Sequence, residues 1–184
     1  AVITVDSFAG GGDLTVTDSG AATFTNAVSA GTVTLTDTTG TITFSGDLTA
    51  ATALATTANG YNVSIAGSSN SIAGDTTFAN TGTITIGDGA GDSTTFAGGL
   101  DTTVVGGTKT LSGSVITTDA QMDLDAVTLG AAVILDTGTA ATSIMNVGAV
   151  TSGANALTLD SGADASAVIT VDSFAGGGDL TVTD

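Results

Sequence analysis

Apolar and polar residues alternate with a period of two along most of this chain. Residues 32–36 read TVTLT and residues 83–86 read TITI. Successive side chains of a β-strand point to opposite faces, so the alternation places aliphatic residues on one face and threonines on the other. Thr, Val and Ile are β-branched and favour the extended backbone, and clusters of Gly, Ser, Asn and Asp between the runs favour turns. The pattern predicts an all-β fold.

Short strand-and-turn units recur along the chain. In one unit an aliphatic strand is followed by Asp and then by Gly, and it occupies residues 14–20, 33–40, 133–138 and 157–162. In a second unit Thr-Phe is followed by Asn or Gly, and its copies begin at the unequally spaced positions 23, 43, 77 and 95. Such unequal spacing is typical of a solenoid whose coils carry insertions. The units therefore predict a parallel right-handed β-solenoid.

The first eighteen letters of the sequence, AVITVDSFAGGGDLTVTD, recur without change as residues 167–184. The first copy begins at position 1 and the second at position 167. We interpret residues 1–166 as one full tandem period and residues 167–184 as the start of the next. Coils of about 20–25 residues divide such a period into about seven turns. An engineered overlap is the alternative explanation of the identity.

The Thr-Phe units also predict order inside the solenoid. Recurrent aromatic side chains in stacked coils would form one internal stack. The two asparagines that follow them would occupy equivalent turns, where stacked amides form ladders. The structural residues predicted in this way are Phe24, Phe44, Phe78, Phe96, Asn26 and Asn80.

The charge of the chain excludes several classes of function. All 18 acidic residues are Asp, Lys109 is the one basic residue, and the net charge is −17. Nucleic-acid binding requires Lys and Arg to replace the counterions of phosphate, so this class is excluded; binding to an anionic membrane surface is excluded for the same reason. No run approaches the ~18 apolar residues of a membrane-spanning helix. Because Cys and His are absent, the usual zinc and haem sites and His-based catalytic triads are excluded as well.

Two acidic segments are candidates for a calcium site. Hard cations bind carboxylate and carbonyl oxygens on flexible loops that contain glycine. The glycine-rich calcium-binding nonapeptide is not matched in register, and residues 10–13 (GGGD) come nearest to it. Capping and solvation of turns by Asp is the alternative role. The candidate ligands are Asp88, Asp92, Asp119, Asp123 and Asp125.

Enzymatic activity has little support in the sequence. Polysaccharide-cleaving solenoids combine clustered Asp with basic residues. Asp123 and Asp125 are two positions apart and could pair their carboxylates on one strand face. The sole basic residue, Lys109, closely follows two glycines, and we expect it to be an incidental surface residue. We therefore expect no catalytic activity and no cofactor other than, at most, Ca²⁺.

Ice binding is a second alternative, because regular ranks of Thr hydroxyls on a flat solenoid face can order water. It requires a Thr rank that is aligned in every coil. Residues 121–150 contain four threonines (128, 137, 139 and 142), which argues against such alignment. The opposing explanation is that Thr is the polar residue best tolerated at exposed strand positions.

Several segments resemble a known family. Residues 41–48 (TITFSGDL), 80–87 (NTGTITIG) and 126–130 (AVTLG) are similar to the repeats of filamentous-haemagglutinin-like and autotransporter-type bacterial surface proteins. The resemblance covers essentially the whole chain but rests on composition and degenerate motifs. It implies a giant tandem-repeat β-helical rod outside the cell, with no catalytic residues in the repeats.

The repeats and the charge predict a rod, and the resemblance implies that it is an extracellular structural fibre or adhesin on the bacterial cell surface. Its partners would be adjacent repeats or subunits, joined end to end, and a host or neighbouring-cell surface. In residues 1–166 there are 15 Asp and one Lys, so the rod would be densely negative and would repel its neighbours at low salt.

Overall fold

The computed structural model describes residues 1–183 and is all-β. Asp184, the last residue of the second repeat copy, lies outside the described residues. The strands are β1 (Val2–Val5), β2 (Phe8–Ala9), β3 (Leu14–Ser19), β4 (Ala21–Phe24), β5 (Val28–Thr38), β6 (Thr41–Phe44), β7 (Leu48–Thr56), β8 (Asn62–Ile65), β9 (Ser69–Ile72), β10 (Thr76–Thr77), β11 (Ile84–Ile86), β12 (Ser93–Phe96), β13 (Leu100–Asp101), β14 (Lys109–Thr117), β15 (Met122–Leu124), β16 (Val127–Asp136), β17 (Ile144–Gly153), β18 (Leu157–Asp160), β19 (Val168–Gly176) and β20 (Leu180–Thr183).

The strands stack in parallel on three faces of a solenoid. Face A contains β1, β4, β6, β8, β11, the first parts of β14 and β16, and the second parts of β17 and β19. Face B contains β2, the first parts of β5 and β7, β9, β12, the second parts of β14 and β16, β18 and β20. Face C contains β3, the second parts of β5 and β7, β10, β13, β15 and the first parts of β17 and β19.

The chain visits faces A, B and C in the same order in every coil and completes about nine turns. The turns differ in length: the turn from Lys109 to its partner Val127 is short, and the turn from Ile84 to its partner Lys109 is longer. The predicted β-solenoid is thus confirmed. The coil count differs slightly from the prediction, because many turns are shorter than an equal division of the period into seven would give.

Several long strands pass around a corner of the solenoid. In β14 the register shifts between Leu111 and Gly113, where the strand leaves face A for face B. Gly113 has a φ of +73°, which favours glycine. A Cβ at this position would lie 2.3 Å from the carbonyl oxygen of Asp92 in the preceding coil. The corner therefore requires glycine both for its backbone angle and for the close approach of two coils.

The interior is filled by the apolar members of the alternating pattern. Ile42 and Phe44 on β6, and Val63 and Ile65 on β8, are all buried, while the residues between them are partly exposed. The one tyrosine, Tyr61, is also fully buried, and its hydroxyl donates a hydrogen bond to the carbonyl of Leu35 at 2.6 Å. Because most inward positions of neighbouring coils are apolar and in register, the buried residues form one cluster along the solenoid.

Two of the recurring sequence units lie directly on top of each other. Residues 133–136 pair in register with residues 157–160. In each unit the terminal Asp accepts a hydrogen bond from the N–H of a glycine two positions later, Gly138 to Asp136 at 2.8 Å and Gly162 to Asp160 at 3.0 Å. The repeated Asp-Thr-Gly and Asp-Ser-Gly letters are therefore stacked turns of one kind.

Candidate functional site

A line of hydroxyl side chains follows the outer side of face A. Each of its members lies between two inward residues of its strand, and each is paired with the next in register. Neighbouring strands of a sheet are about 4.8 Å apart, so the hydroxyls recur at that interval. Eight coils contribute without a gap, and in the last coil the position is taken by Ala175. We call this line the hydroxyl rank: Thr4, Thr23, Thr43, Ser64, Thr85, Thr110, Thr128 and Thr151.

The hydroxyl rank has unused hydrogen-bonding capacity. Within residues 1–183, none of its hydroxyls forms a hydrogen bond to another protein atom. Its side chains are partly or largely exposed to solvent, and the described face A strands contain no Asp. The rank is thus a neutral, hydroxyl-bearing stripe on a strongly acidic chain.

The sequence did contain the signal for this rank. A Thr or Ser stands at the centre of each strand core, as in residues 42–44 (ITF), 84–86 (ITI) and 127–129 (VTL). The number of threonines in residues 121–150 was a misleading measure, because the rank needs only one hydroxyl per coil. Thr128 and its partner Thr151 provide that hydroxyl in two successive coils.

Face C carries charge where face A carries hydroxyls. Asp101 on β13 and Asp123 on β15 are partners in adjacent coils, so two carboxylates lie side by side. Like charges opposite each other destabilise a sheet, and nearby donors offset this. Asp101 accepts bonds from Thr103, and Asp123 accepts bonds at 2.7 Å from the side-chain amides of Gln121 and Asn146.

The five candidate calcium ligands do not converge. Asp88 and Asp92 lie between β11 and β12, Asp119 lies between β14 and β15, Asp123 lies on β15, and Asp125 follows β15. In the described part of the chain no three acidic side chains are grouped closely enough to hold a metal ion.

Most of these carboxylates bind groups of the protein itself. Asp92 accepts the backbone N–H groups of Asp88 and Gly89, both at 2.8 Å, and the bond from Asp88 lowers the pKa of Asp92. Asp119, with a φ of +54°, accepts the N–H groups of Thr139 at 2.8 Å and Ala140 at 3.1 Å in the following coil. These residues organise turns, the alternative role that the sequence left open.

Lys109 is buried, which corrects the expectation of an incidental surface residue. It occupies an inward register position between Ile84 and Val127 and is 4% exposed. Its ammonium group forms a salt bridge of 3.0 Å with Asp125, whose side chain is 55% exposed. The hydrogen bond from Lys109 lowers the pKa of Asp125. The sequence signal for this was the period-two pattern, which places Lys109 on the same inward side of β14 as Leu111, with Thr110 between them on the outer side.

Asp123 and Asp125 therefore have different partners. Asp123 binds Gln121 and Asn146, whereas Asp125 binds Lys109. The two residues follow each other along one strand edge, but each carboxylate is committed to its own structural contact. The structure therefore does not pair these two carboxylates with each other.

The four predicted phenylalanines form two pairs and not the single stack expected from the sequence. Phe24 and Phe44 stack on face A with ring centroids 5.0 Å apart and planes at 10°. The rings of Phe78 and Phe96 meet edge to face at 6.1 Å. Above Phe44 the register places Ile65, so the aromatic stack ends after two coils.

The two predicted asparagines do not form a ladder. Asn26 follows β4 at the corner from face A to face B and donates to Asp6 at 2.8 Å. Asn80 follows β10 on face C, is fully buried and donates to the carbonyls of Tyr61 and Thr83. The unequal coil lengths bring the same sequence unit to different corners.

The fold and its surfaces define a parallel β-solenoid with one neutral, hydroxyl-bearing face and two faces that carry acidic residues. Comparison of the chain with known protein families, with curated proteins and with solved structures gives no match. None of residues 1–183 belongs to a helix long and apolar enough to cross a membrane.

Proposed function

We propose that this chain is a segment of the shaft of an extracellular structural fibre or adhesin on a bacterial cell surface. The observation that carries the proposal is the unbroken parallel stacking of coils around one apolar core. Such a stack transmits load along its axis through rows of backbone hydrogen bonds, and it needs no catalytic residue. The resemblance to filamentous-haemagglutinin-like repeats supports the same function.

The charge distribution suits a long rod that has to stay separate from its neighbours. The chain carries a net charge of −17, and acidic side chains are partners in adjacent coils on faces B and C. Repulsion between rods opposes lateral association and weakens as salt shortens the Debye length. Contact with a host or neighbouring cell would then occur at the end of the rod or through the neutral face A.

Immunolabelling of intact source cells tests this function. Antibodies raised against this chain should label the outside of unbroken cells, and brief external digestion with proteinase K should remove the signal. A cytosolic protein probed on the same cells is the control and should remain unlabelled. Detection of the antigen only after lysis would contradict the proposal.

The mass of the denatured natural protein separates two versions of the fibre. One giant chain with tandem periods gives a species far above the 17.4 kDa of this sequence. A fibre of separate short subunits gives a band near that mass.

The hydroxyl rank favours ice binding as a second candidate function. Eight aligned hydroxyls without protein partners, on a face without acidic residues, form the kind of regular surface that can order water. The predicted result is thermal hysteresis at millimolar protein that is lost in Thr110→Tyr on face A. The matched variant Thr34→Tyr, on the outer side of face C, should keep the activity. Absence of hysteresis in the unmodified chain would remove this candidate.

A further inference from the structure

The two copies of the repeated segment lie on different faces of the solenoid. Residues 2–5 of the first copy pair with β4 on face A. Residues 168–171, which have the same sequence, pair with the start of β17 on face C. Between the two copies the chain completes seven turns and advances by two further faces. The tandem period is therefore seven and two-thirds turns and not a whole number.

The same side chains point inwards in both copies despite this rotation. In each copy two aliphatic residues, one phenylalanine and two more aliphatic residues face the core of the neighbouring coil. The pairs of equivalent inward residues are Ile3 and Ile169, Val5 and Val171, Phe8 and Phe174, Leu14 and Leu180, and Val16 and Val182. The same segment can therefore begin on face A, as in the first copy, or on face C, as in the second copy, with the same residues facing the core.

The strands of the two copies form their hydrogen bonds through opposite edges. Residues 1–18 form hydrogen bonds to the coil that follows them, which begins at β4. Residues 167–183 form theirs to the coil that precedes them, in β17 and β18. The first copy thus shows which coil can follow this segment, and the second copy shows which coil can precede it.

The open side of residues 1–18 is a cavity of about 290 Å³ with an apolar lining that includes Ile3, Val5, Phe8, Leu14 and Val16. Around the second copy the equivalent side is covered. The residues that cover it are Met145, Val147, Val150, Leu157 and Leu159.

We infer that the open side of residues 1–18 accepts the β17–β18 coil of a second copy of this repeat, so that consecutive periods form one solenoid in which each period is rotated by two-thirds of a turn. The inference rests on the proposed fibre and defines its joint. At about 4.8 Å per coil, seven and two-thirds turns advance the rod by about 37 Å per period.

This rotation moves the hydroxyl rank around the rod. Thr170 is the counterpart of Thr4, and it lies on face C beside Asn146 instead of on face A. The next period would therefore carry its rank on face C, the following one on face B, and the fourth on face A again. The rod then presents its neutral stripe in three directions in turn.

The competing arrangement is a tandem period with a whole number of turns, in which both copies of the segment would begin on face A. The separation in sequence between Thr151 and Thr170 equals the separation between the partners Thr4 and Thr23 in the first copy. A short last coil would therefore place Thr170 beside Thr151 on face A. The structure places Ala175 beside Thr151 instead.

Engineered cysteine pairs in the full chain distinguish the two arrangements, since the chain has no cysteine of its own. Disulfides form only where the Cα atoms lie within about 7 Å. N146C/T170C should cross-link under mild oxidation, T151C/T170C should not, and T4C/T23C is the matched positive control. Cross-linking of T151C/T170C, or failure of N146C/T170C while the control pair reacts, would overturn the two-thirds rotation.

A chain of two periods tests the joint itself. Residues 1–184 followed directly by residues 19–184 should unfold in one thermal transition, at a higher temperature than two full chains joined by a flexible Gly-Ser linker, because coils of a solenoid are stabilised by their neighbours. Equal melting temperatures would show that the joint does not form. Both experiments depend only on how the coils stack, so they are independent of where cells place the protein.

Discussion

Faces A and C are built from the same alternating strands but differ on their outer sides. Face A presents the hydroxyl rank, whereas face C presents the partners Asp101 and Asp123 with side-chain amides around them. Asp101 and Asp123 accept hydrogen bonds from nearby donors, but the hydroxyls of the rank have no protein partner. The comparison shows that this solenoid keeps one face free of acidic strand residues, while faces B and C carry carboxylates that are partners in adjacent coils.

The largest expected effect concerns the inner side of face A. Phe44 is fully buried and stacks on Phe24, so Phe44→Ala should lower the free energy of unfolding by about 3–5 kcal/mol. The adjacent outward variant Thr43→Ala should cost under about 1 kcal/mol. Urea unfolding measures both values. Similar losses in the two variants would mean that the outer hydroxyls stabilise face A as much as its core does.

A carboxylate placed in the hydroxyl rank tests whether face A has to be neutral. Thr85 lies between Ser64 and Thr110 in adjacent coils. Both Thr85→Asp and Thr85→Asn should cost about 1 kcal/mol, because Asp and Asn are poor strand residues. Only the Asp variant should regain stability as salt is added. If salt changes the stability of the two variants equally, a negative charge on face A is not destabilised by repulsion from the rest of the chain.

The salt bridge between Lys109 and Asp125 predicts a pH dependence at the edge between faces C and A. The pKa of Asp125 is lowered from its ordinary value of 3.8 in the folded protein. Its contribution to stability is therefore present above that value and is lost as the pH falls through the lowered pKa. Asp125→Asn should weaken the loss of stability below about pH 4, as followed by circular dichroism during thermal melting. An unchanged acid profile would exclude a stabilising salt bridge.

The smallest expected effect concerns the paired carboxylates of face C. Asp101→Asn removes the repulsion from Asp123 and should stabilise the chain by about 0.2–0.5 kcal/mol at low salt. The gain should vanish near 1 M salt, where the Debye length is about 3 Å. Asp47→Asn is the control, because it removes the same charge from a carboxylate that also accepts hydrogen bonds, in this case from Ser68 and Ser69. An equal gain in the control would indicate a general effect of net charge.

The sequence predicted the features of the fold that depend on neighbouring residues alone. Alternation within a strand is local, so the inward side chains of β6 and β8 follow directly from the letters. The parallel solenoid followed from the recurrence of strand-and-turn units. These predictions needed no knowledge of how one coil is placed on the next.

Features that depend on coil length could not be predicted. Turns of unequal length decide which positions become partners, so Phe78 meets Phe96 and neither joins Phe24 and Phe44. For the same reason the rotation between the two copies of the repeated segment is invisible in the sequence. The buried position of Lys109 was missed because the nearby glycines suggested a turn, although Leu111 marks the same inward side.

The burial of Lys109 has a consequence for proteolysis. Trypsin cleaves after Lys and Arg, and the bond between Lys109 and Thr110 is the one such bond in the sequence. That bond lies in β14, between partner strands in the coils on both sides, and the lysine side chain is enclosed. Trypsin can cut only after this part of the stack has opened. The rate at which the two fragments, 1–109 and 110–184, appear would therefore measure how often the middle of the rod opens.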